Sequence, residues 1–282
     1  MPNHSTRLIV KTVCATIAIG GILGAIGGGI VARSGWYDVG ALAPHWQFAY
    51  TFLEYGMHES VRNHASEVTG TAPQDAASLR AGAALYKANC VACHGGPGVA
   101  MANFAKSMQP APGPLVDAAR RWSEPQMYWI VRHGIKTSGM PAWKFHMSDA
   151  QIWQVTGFLT HLPQLTPQQF ATFNAGVEAA PNPDLPAARQ GDIERGKLAL
   201  AQYACQSCHI IPGVTGSKTY VGPQLAMFGR QEKIAGQLVN SPENLVRWIT
   251  DPKGVDPLTA MPDLDVTRQD AADMAAYLTD LK

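Results

Sequence analysis

Apolar residues follow two regimes along the 282-residue chain, one continuous and one interrupted. From Leu8 to Val31 the sequence LIVKTVCATIAIGGILGAIGGGIV runs for 24 residues with Lys11 as its one charge. About 20 apolar residues cross a bilayer as a helix, so this stretch predicts a transmembrane anchor. After Ala76 the pattern changes to short helix-forming stretches parted by Gly- and Pro-rich chain. Helices are expected over Ala77–Ala88, Glu124–His133 and Ser148–His161, and again over Asp192–Ala204, Pro242–Thr250 and Thr267–Lys282. Asp192 is a suitable N-cap, with Glu194 adding negative charge to the first turn. The same order of elements occurs twice. The expected fold class is mainly α, an N-terminal transmembrane helix followed by two tandem helical domains.

This organisation places an anchor at 1–32, a juxtamembrane connector at 33–76, a first domain at 77–165, a linker at 166–189 and a second domain at 190–282. The linker assignment follows composition: Pro163, Pro167, Pro181, Pro183 and Pro186 cluster there, which makes a semi-rigid spacer. Arg7 and Lys11 before the apolar run predict a cytoplasmic N-terminus, with the rest of the chain facing the outer compartment. A cleaved signal peptide is the competing reading, but its apolar region is normally about 7–15 residues long and ends in a small-residue site that Ile30-Val31-Ala32-Arg33 lacks. Gly20, Gly24 and Gly28 lie on one stripe of the helix, where a second membrane helix could approach closely. In the connector, Trp36, Tyr37, Trp46 and Tyr50 are the aromatic types found at a membrane–water interface. Pro44 to Val68 could form a helix near that surface. His45, His58 and His64 have no cysteine partners there, and solvated or locally bonded histidines are the expected state.

The candidate chemistry lies in a repeated pentapeptide. Cys90-Val91-Ala92-Cys93-His94 and Cys205-Gln206-Ser207-Cys208-His209 share the pattern Cys-X-X-Cys-His. Two thiols at this spacing add across the vinyl groups of a haem, and the histidine then lies under the iron as an axial ligand. A thioredoxin-like redox pair needs no trailing histidine and expects a βαβ setting. A zinc site using both pairs would join thiolates across an unusually long separation. Four of the five cysteines are used by the motifs. The fifth, Cys14, falls in the apolar run as a small filler. Two covalently attached haem c groups are therefore expected.

A second axial ligand is sought downstream. Met140, in Thr137-Ser138-Gly139-Met140-Pro141, follows His94 by 46 positions, and Met261, in Thr259-Ala260-Met261-Pro262, follows His209 by 52. Thioether ligation favours ferrous iron and raises the reduction potential. The proline after each methionine stiffens the loop that presents it. Met101, Met108, Met127 and Met147 are rivals in the first domain, and Met227 and Met274 in the second, but none has the Met-Pro context. Iron ligands are thus expected at His94, Met140, His209 and Met261.

Both repeats resemble class I cytochrome c domains. CVACHG with GIKTSGMPAW carries the resemblance in the first, over about 77–165. CQSCH, VGPQLAMFGR, NSPENLVRWITDP and TAMP carry it in the second, over 190–282. The connector, WYDVGALAPHW through SVRNHA, looks like the juxtamembrane piece of membrane-anchored bacterial cytochromes. The resemblance implies a proline carbonyl that accepts a hydrogen bond from the histidine Nδ1–H. Pro223 matches that role for His209. In the first domain Pro112 and Pro114 are both candidates, and the register stays open. Trp129, Trp143 and Trp153, with Trp248 and Tyr277, either flank the haem pockets or serve as ordinary core aromatics.

The overall net charge of +1 decides little, but its distribution is uneven. Arg80–Leu165 carries eight Lys/Arg against three Asp/Glu, and Gln190–Lys282 nine against eleven. Domains of opposite sign suit docking on each other or on partners of opposite charge. No nucleic-acid motif is present. The leading expectation is a non-enzymatic, membrane-tethered dihaem cytochrome of the bacterial inner membrane, its haem domains in the periplasm. It would pass electrons from a respiratory dehydrogenase or reductase to an acceptor such as a terminal oxidase. The alternatives are a permanent electron-transfer subunit of a membrane oxidoreductase complex, or a dihaem redox enzyme, which would need an open iron position.

Overall fold

The computed structural model describes residues 4–180, 190–216 and 221–282. It divides into two compact units, Met1–Asp184 and Leu185–Lys282. The first unit begins with α1 (His4–Ser34), long and apolar enough to span a bilayer, whose large apolar side chains from Leu8 to Ile30 are exposed. Next come α2 (Gln47–Ala65), α3 (Ala76–Asn89), the single turn α4 (Val91–His94), α5 (Ala118–Arg121), α6 (Glu124–His133), α7 (Asp149–His161) and α8 (Pro167–Thr172). The second contains α9 (Ile193–Gln202), α10 (Pro242–Thr250), α11 (Pro252–Val255) and α12 (Arg268–Asp280). It also has a two-stranded antiparallel ladder, β1 (Lys233–Ile234) with β2 (Leu238–Val239), pairing Lys233 with Val239 and Ile234 with Leu238. The chain is mainly helical, and each helix expected from the sequence is present to within a few residues.

Local chemistry sets the helix starts. Asp75 accepts from Ala77 N and Ser78 N at the head of α3, and Asp192 from Arg195 N at the head of α9. Ser148 and Gln151 form a reciprocal capping box on α7, and Thr267 accepts from Asp270 N on α12. Each cap satisfies amide donors that the first helical turn leaves unpaired.

In both units the helix that leads into the Cys-X-X-Cys-His motif crosses a later helix at a glycine. A Cβ on Gly82 of α3 would lie 2.1 Å from the Gln154 carbonyl oxygen of α7. One on Gly196 of α9 would lie 1.9 Å from that of Asp273 on α12. Glycine usually weakens a helix interior, so its use here reflects backbone-to-backbone contact. Around the first crossing pack Tyr86, Ile152, Phe158, Leu162 and Phe170, all nearly fully buried. Around the second pack Leu200, Ile234, Leu245, Met274 and Leu278. Asp273 is buried there and receives Asp192 N at 2.8 Å and the Arg195 guanidinium at 2.8 and 3.0 Å.

Two segments assigned from sequence to spacers are built into the first unit. The connector expected over 33–76 is one. Val61, Ala65 and Ala72 are buried, His58 stacks on Trp122 at 4.3 Å, and His64 stacks on Trp129 at 5.4 Å. The linker expected from 166 is the other, because α8 inserts Phe170 into the core beneath Gly96. Proline content indicated a spacer, but burial of one large aromatic outweighs it. Pro181, Pro183 and Pro186 lie outside the described residues.

Candidate haem sites

Each Cys-X-X-Cys-His motif folds as one turn. In the first, Cys90 caps α3, its amide reaching Tyr86 O at 2.8 Å, and its carbonyl accepts from Cys93 N and His94 N at 3.1 and 2.9 Å. In the second, Cys205 accepts from Cys208 N and His209 N at 3.2 and 3.0 Å. The two turns are reached differently. The first continues directly from its helix, whereas the second follows Ala204 in the left-handed region, at φ 55°. Burial, aided by the neighbouring Cys93, pushes the Cys90 thiol up to about 12, and burial pushes Cys205 up to about 11. Both are protonated near neutral pH when free, the opposite of the depressed thiol of a redox pair.

Both histidines are oriented by a backbone carbonyl. The Nδ1–H of His94 donates to Gly113 O at 2.7 Å, and that of His209 donates to Pro223 O at 2.8 Å. A carbonyl can only accept, so Nδ1 carries the proton and Nε2 keeps its lone pair. Among the described residues no protein group bonds either Nε2. Neither Pro112 nor Pro114 is the acceptor for His94. The glycine between them takes the role, because the partner is a main-chain oxygen that any residue can supply. Burial pushes His94 below the ordinary histidine range, against a smaller upward pull from the Gly113 carbonyl. A neutral ring is the form that binds iron. Against His209 the chain approaches closely, since a Cβ on Gly222 would lie 2.5 Å from the ring's Cε1. Beside His94 lies a cavity of about 360 Å³, walled by Val99, Met101, Lys106, Pro114 and Val116.

The methionine loops share a local device. Met140 N donates to Ser138 Oγ at 3.1 Å, and Met261 N to Thr259 Oγ1 at 3.2 Å. A hydroxyl two residues before each Met-Pro thus shapes the turn that presents the sulfur. The first loop is also pinned to α6. Ile135 N reaches Met140 O at 3.2 Å, and Gly134 leaves room for the Met140 carbonyl, 2.6 Å from where a Cβ would fall. Met140 packs against the core that contains Cys90, and Met261 and Cys205 pack against the core of the second unit.

The rival methionines fall in different settings. Met127, Met147 and Met274 are buried core residues, and Met227 is exposed. Met101 lines the cavity beside His94, and the Met108 methyl occupies the space next to Gly139, 1.6 Å from where a Cβ would fall. Among the aromatics, Trp248 is core and Tyr277 donates to Pro212 O at 2.6 Å. Trp129 is taken up by His64 and His133, Trp153 stacks on Tyr128 at 4.2 Å, and Trp143 meets His146 edge-on. Sequence reasoning missed Gly82, Gly196, Gly134 and Gly222, whose signal is a glycine in otherwise ordered context.

The donor set fits a haem in each unit, with two thiols on one turn, an imidazole with Nε2 free, and a thioether on a stiffened loop. Among the described residues no group of three or more His, Cys, Asp or Glu is gathered as a metal site.

Comparison with known proteins agrees with this chemistry. Residues 77–159 match the family described as cytochrome c oxidase, cbb3-type, subunit III, and residues 193–282 match the family described as cytochrome c. Cytochrome c oxidase subunit 2 of Alkalihalophilus pseudofirmus is 37% identical over 89 residues, which is 31% of this chain and 25% of that protein. Cytochrome c oxidase subunit 2 of Bacillus sp. (strain PS3) is 30% identical over 114 residues, 39% of this chain and 32% of that protein. The matches thus span about a third or less of these relatives. A chain in the reducing HAO-like protein complex of Kuenenia stuttgartiensis aligns over 71% of this chain and 95% of its own, at 19% identity and a TM-score of 0.24. The chain thus carries two cytochrome c-type electron-transfer domains in tandem, matched at 77–159 and 193–282, behind a long apolar helix.

Proposed function

We propose that the chain is a membrane-tethered dihaem c-type cytochrome that relays electrons between a respiratory dehydrogenase or reductase and a downstream acceptor such as a terminal oxidase. The observation that carries this reading is the duplicated constellation of carbonyl-oriented histidine and hydroxyl-supported Met-Pro loop. Cys90 and Cys93 hold one haem c and Cys205 and Cys208 the other, through thioether bonds. His94 with Met140, and His209 with Met261, would supply the protein ligands to each iron. Bound haem c supplies a one-electron iron couple whose potential is raised by thioether ligation. The chain's own groups do the rest. Gly113 and Pro223 carbonyls fix the imidazole tautomer and make Nε2 a better donor. Ser138 and Thr259 hold the sulfur-bearing loops. α1 anchors the protein in the bacterial inner membrane with both domains in the periplasm, where the tether raises the effective concentration of membrane-bound partners.

A second reading, a permanent subunit of an oxidoreductase complex, is favoured by the similarity to proteins named as oxidase subunits. The exposed Gly20, Gly24 and Gly28 would then seat a partner helix. Gentle detergent extraction followed by haem analysis tests both. Two covalent haems on a chain recovered alone support the mobile relay, and a co-purifying oxidase or dehydrogenase supports the subunit. Fewer than two covalent haems per chain would refute the dihaem assignment.

A further inference from the structure

We infer that α2 is divided in function: its first half, Gln47–Tyr55, lies in the headgroup–acyl boundary of the membrane, while its second half holds the first haem domain. One helix would then fix the height of that domain above the lipid. The inference rests on reading α1 as a membrane anchor.

Side chains on this segment fall on three stripes of i, i+4, i+7 spacing. Phe48, Phe52 and Tyr55 form one, and Trp46, Tyr50 and Leu53 another. The third, Gln47, Thr51 and Glu54, is polar, and Gln47 Nε2 donates to Thr51 Oγ1 along it at 3.1 Å. Both apolar stripes are open, with Phe48 81% and Phe52 67% exposed. Further along the helix the surroundings change. The Trp46 stripe runs on into Met57, Val61 and His64, where Val61 is buried and His64 stacks on Trp129. The segment thus overhangs the domain by about nine residues, roughly 14 Å of helix at 1.5 Å per residue. An apolar overhang of that size would not be left in water without a contact to cover it.

The chain leading into α2 identifies lipid as the cover. Trp36 N bonds to Ser34 Oγ at 3.2 Å as α1 ends. The Tyr37 hydroxyl then bonds to His45 Nδ1, and the Tyr37 ring meets Trp46 edge-on at 5.9 Å. These contacts close the 37–46 loop on itself. Tyr37 lies three residues past the end of α1, roughly 10 Å at full extension, and the Tyr37 ring in turn holds the start of α2 through Trp46. A helix starting that close to the end of a membrane span begins within the interfacial layer, about 5–10 Å deep. Its composition suits that layer, being rich in Trp, Tyr and Phe. It departs from other surface-seeking helices in one respect. No Lys or Arg occurs between Ser34 and Val61, so its insertion should not depend on anionic lipid.

Electron paramagnetic resonance on the full haem-bearing chain in zwitterionic lipid vesicles tests this. Nitroxides are placed in a Cys14→Ser background by Phe52→Cys, Glu54→Cys or Ile19→Cys. Oxygen, which partitions into lipid, should relax the label at 52 several-fold more than a water-soluble nickel chelate does. The label at 54 should show the reverse, and neither should change when anionic lipid is added. Equal nickel access at 52 and 54 would overturn the inference, and so would shielding of 52 from both reagents, which would place protein on that face. The label at Ile19 separates the two readings. Nickel access there as well would remove the membrane anchor itself, whereas a lipid-buried Ile19 with a water-exposed Phe52 would remove only the role given to α2.

Discussion

In the first unit the crossing of α3 and α7 is sealed by rings, with Tyr86 against Phe158 at 5.4 Å and Phe170 behind them. In the second, the crossing of α9 and α12 is sealed by charge, with the Arg195 guanidinium on buried Asp273. The site geometry differs in parallel. Gly113, whose Cβ would meet no protein atom within 4 Å, faces His94 from 19 residues downstream, whereas Gly222 and Pro223 press on His209 from 13 and 14. What recurs is the shape the haem needs, a free Nε2 and a supported thioether. What varies is the packing behind it. The helix crossing admits any sealing chemistry, provided a glycine lets the backbones touch.

Five substitutions probe this contrast. The largest effect is expected from Phe158→Ala, about 3–5 kcal/mol from lost burial and an unfilled cavity. It should lower the first of two calorimetric transitions and spare the second. Asp273→Ala should do the converse. Breaking a buried ion pair costs about 3–5 kcal/mol, and the low end applies because Arg195 keeps a quarter of its side chain in solvent. A single merged transition, shifted alike by both variants, would contradict separate cores.

A smaller and site-specific effect is expected from Gly222→Ala. Its methyl would meet the His209 ring at 2.5 Å, and such overpacking costs about 1–3 kcal/mol. The Soret band and potential of the second haem should shift while those of the first stay fixed. The matching change Gly113→Ala keeps the carbonyl and meets no protein atom within 4 Å, so it should stay within about 0.5 kcal/mol and shift the first haem less than Gly222→Ala shifts the second.

The smallest effect concerns acid. Although burial opposes ionisation of Asp149, hydrogen bonds from Arg132 and Tyr128 hold its carboxyl below the usual range. A carboxyl depressed in the folded state adds stability above its unfolded pKa and loses it as pH falls through the folded one. The first unit should therefore weaken below about pH 4, and Asp149→Asn should flatten that limb slightly in acid titrations of its melting temperature. An unchanged acid limb in the variant would exclude the contribution.

The helices were legible because their signals are side chains, such as the Asp192 cap of α9 and the long apolar run of α1. The candidate ligands were legible for the same reason, as Cys, His and Met-Pro are residue types with few other uses at that spacing. The acceptor for His94 was not, because its chemistry is a carbonyl and its register depends on loop length. The joining of α2 and α8 to the first core was hidden by composition. Proline marked residues 166–189 as spacer, and nothing local announces that Phe170 will be buried. Gly82 and Gly196 could have been noticed as glycines inside otherwise regular helices, eight and nine residues before the first cysteine of each motif.

The central claim is that Met140 and Met261 each close one iron opposite a histidine. The most direct test is a redox titration, followed by optical absorption, of Met140→Ala and Met261→Ala proteins beside the parent. Each variant should lower the potential of one haem by more than about 59 mV, a tenfold change for a one-electron couple, and leave the other haem unmoved. A variant whose two potentials and spectra match the parent would contradict the ligand assignment for that unit.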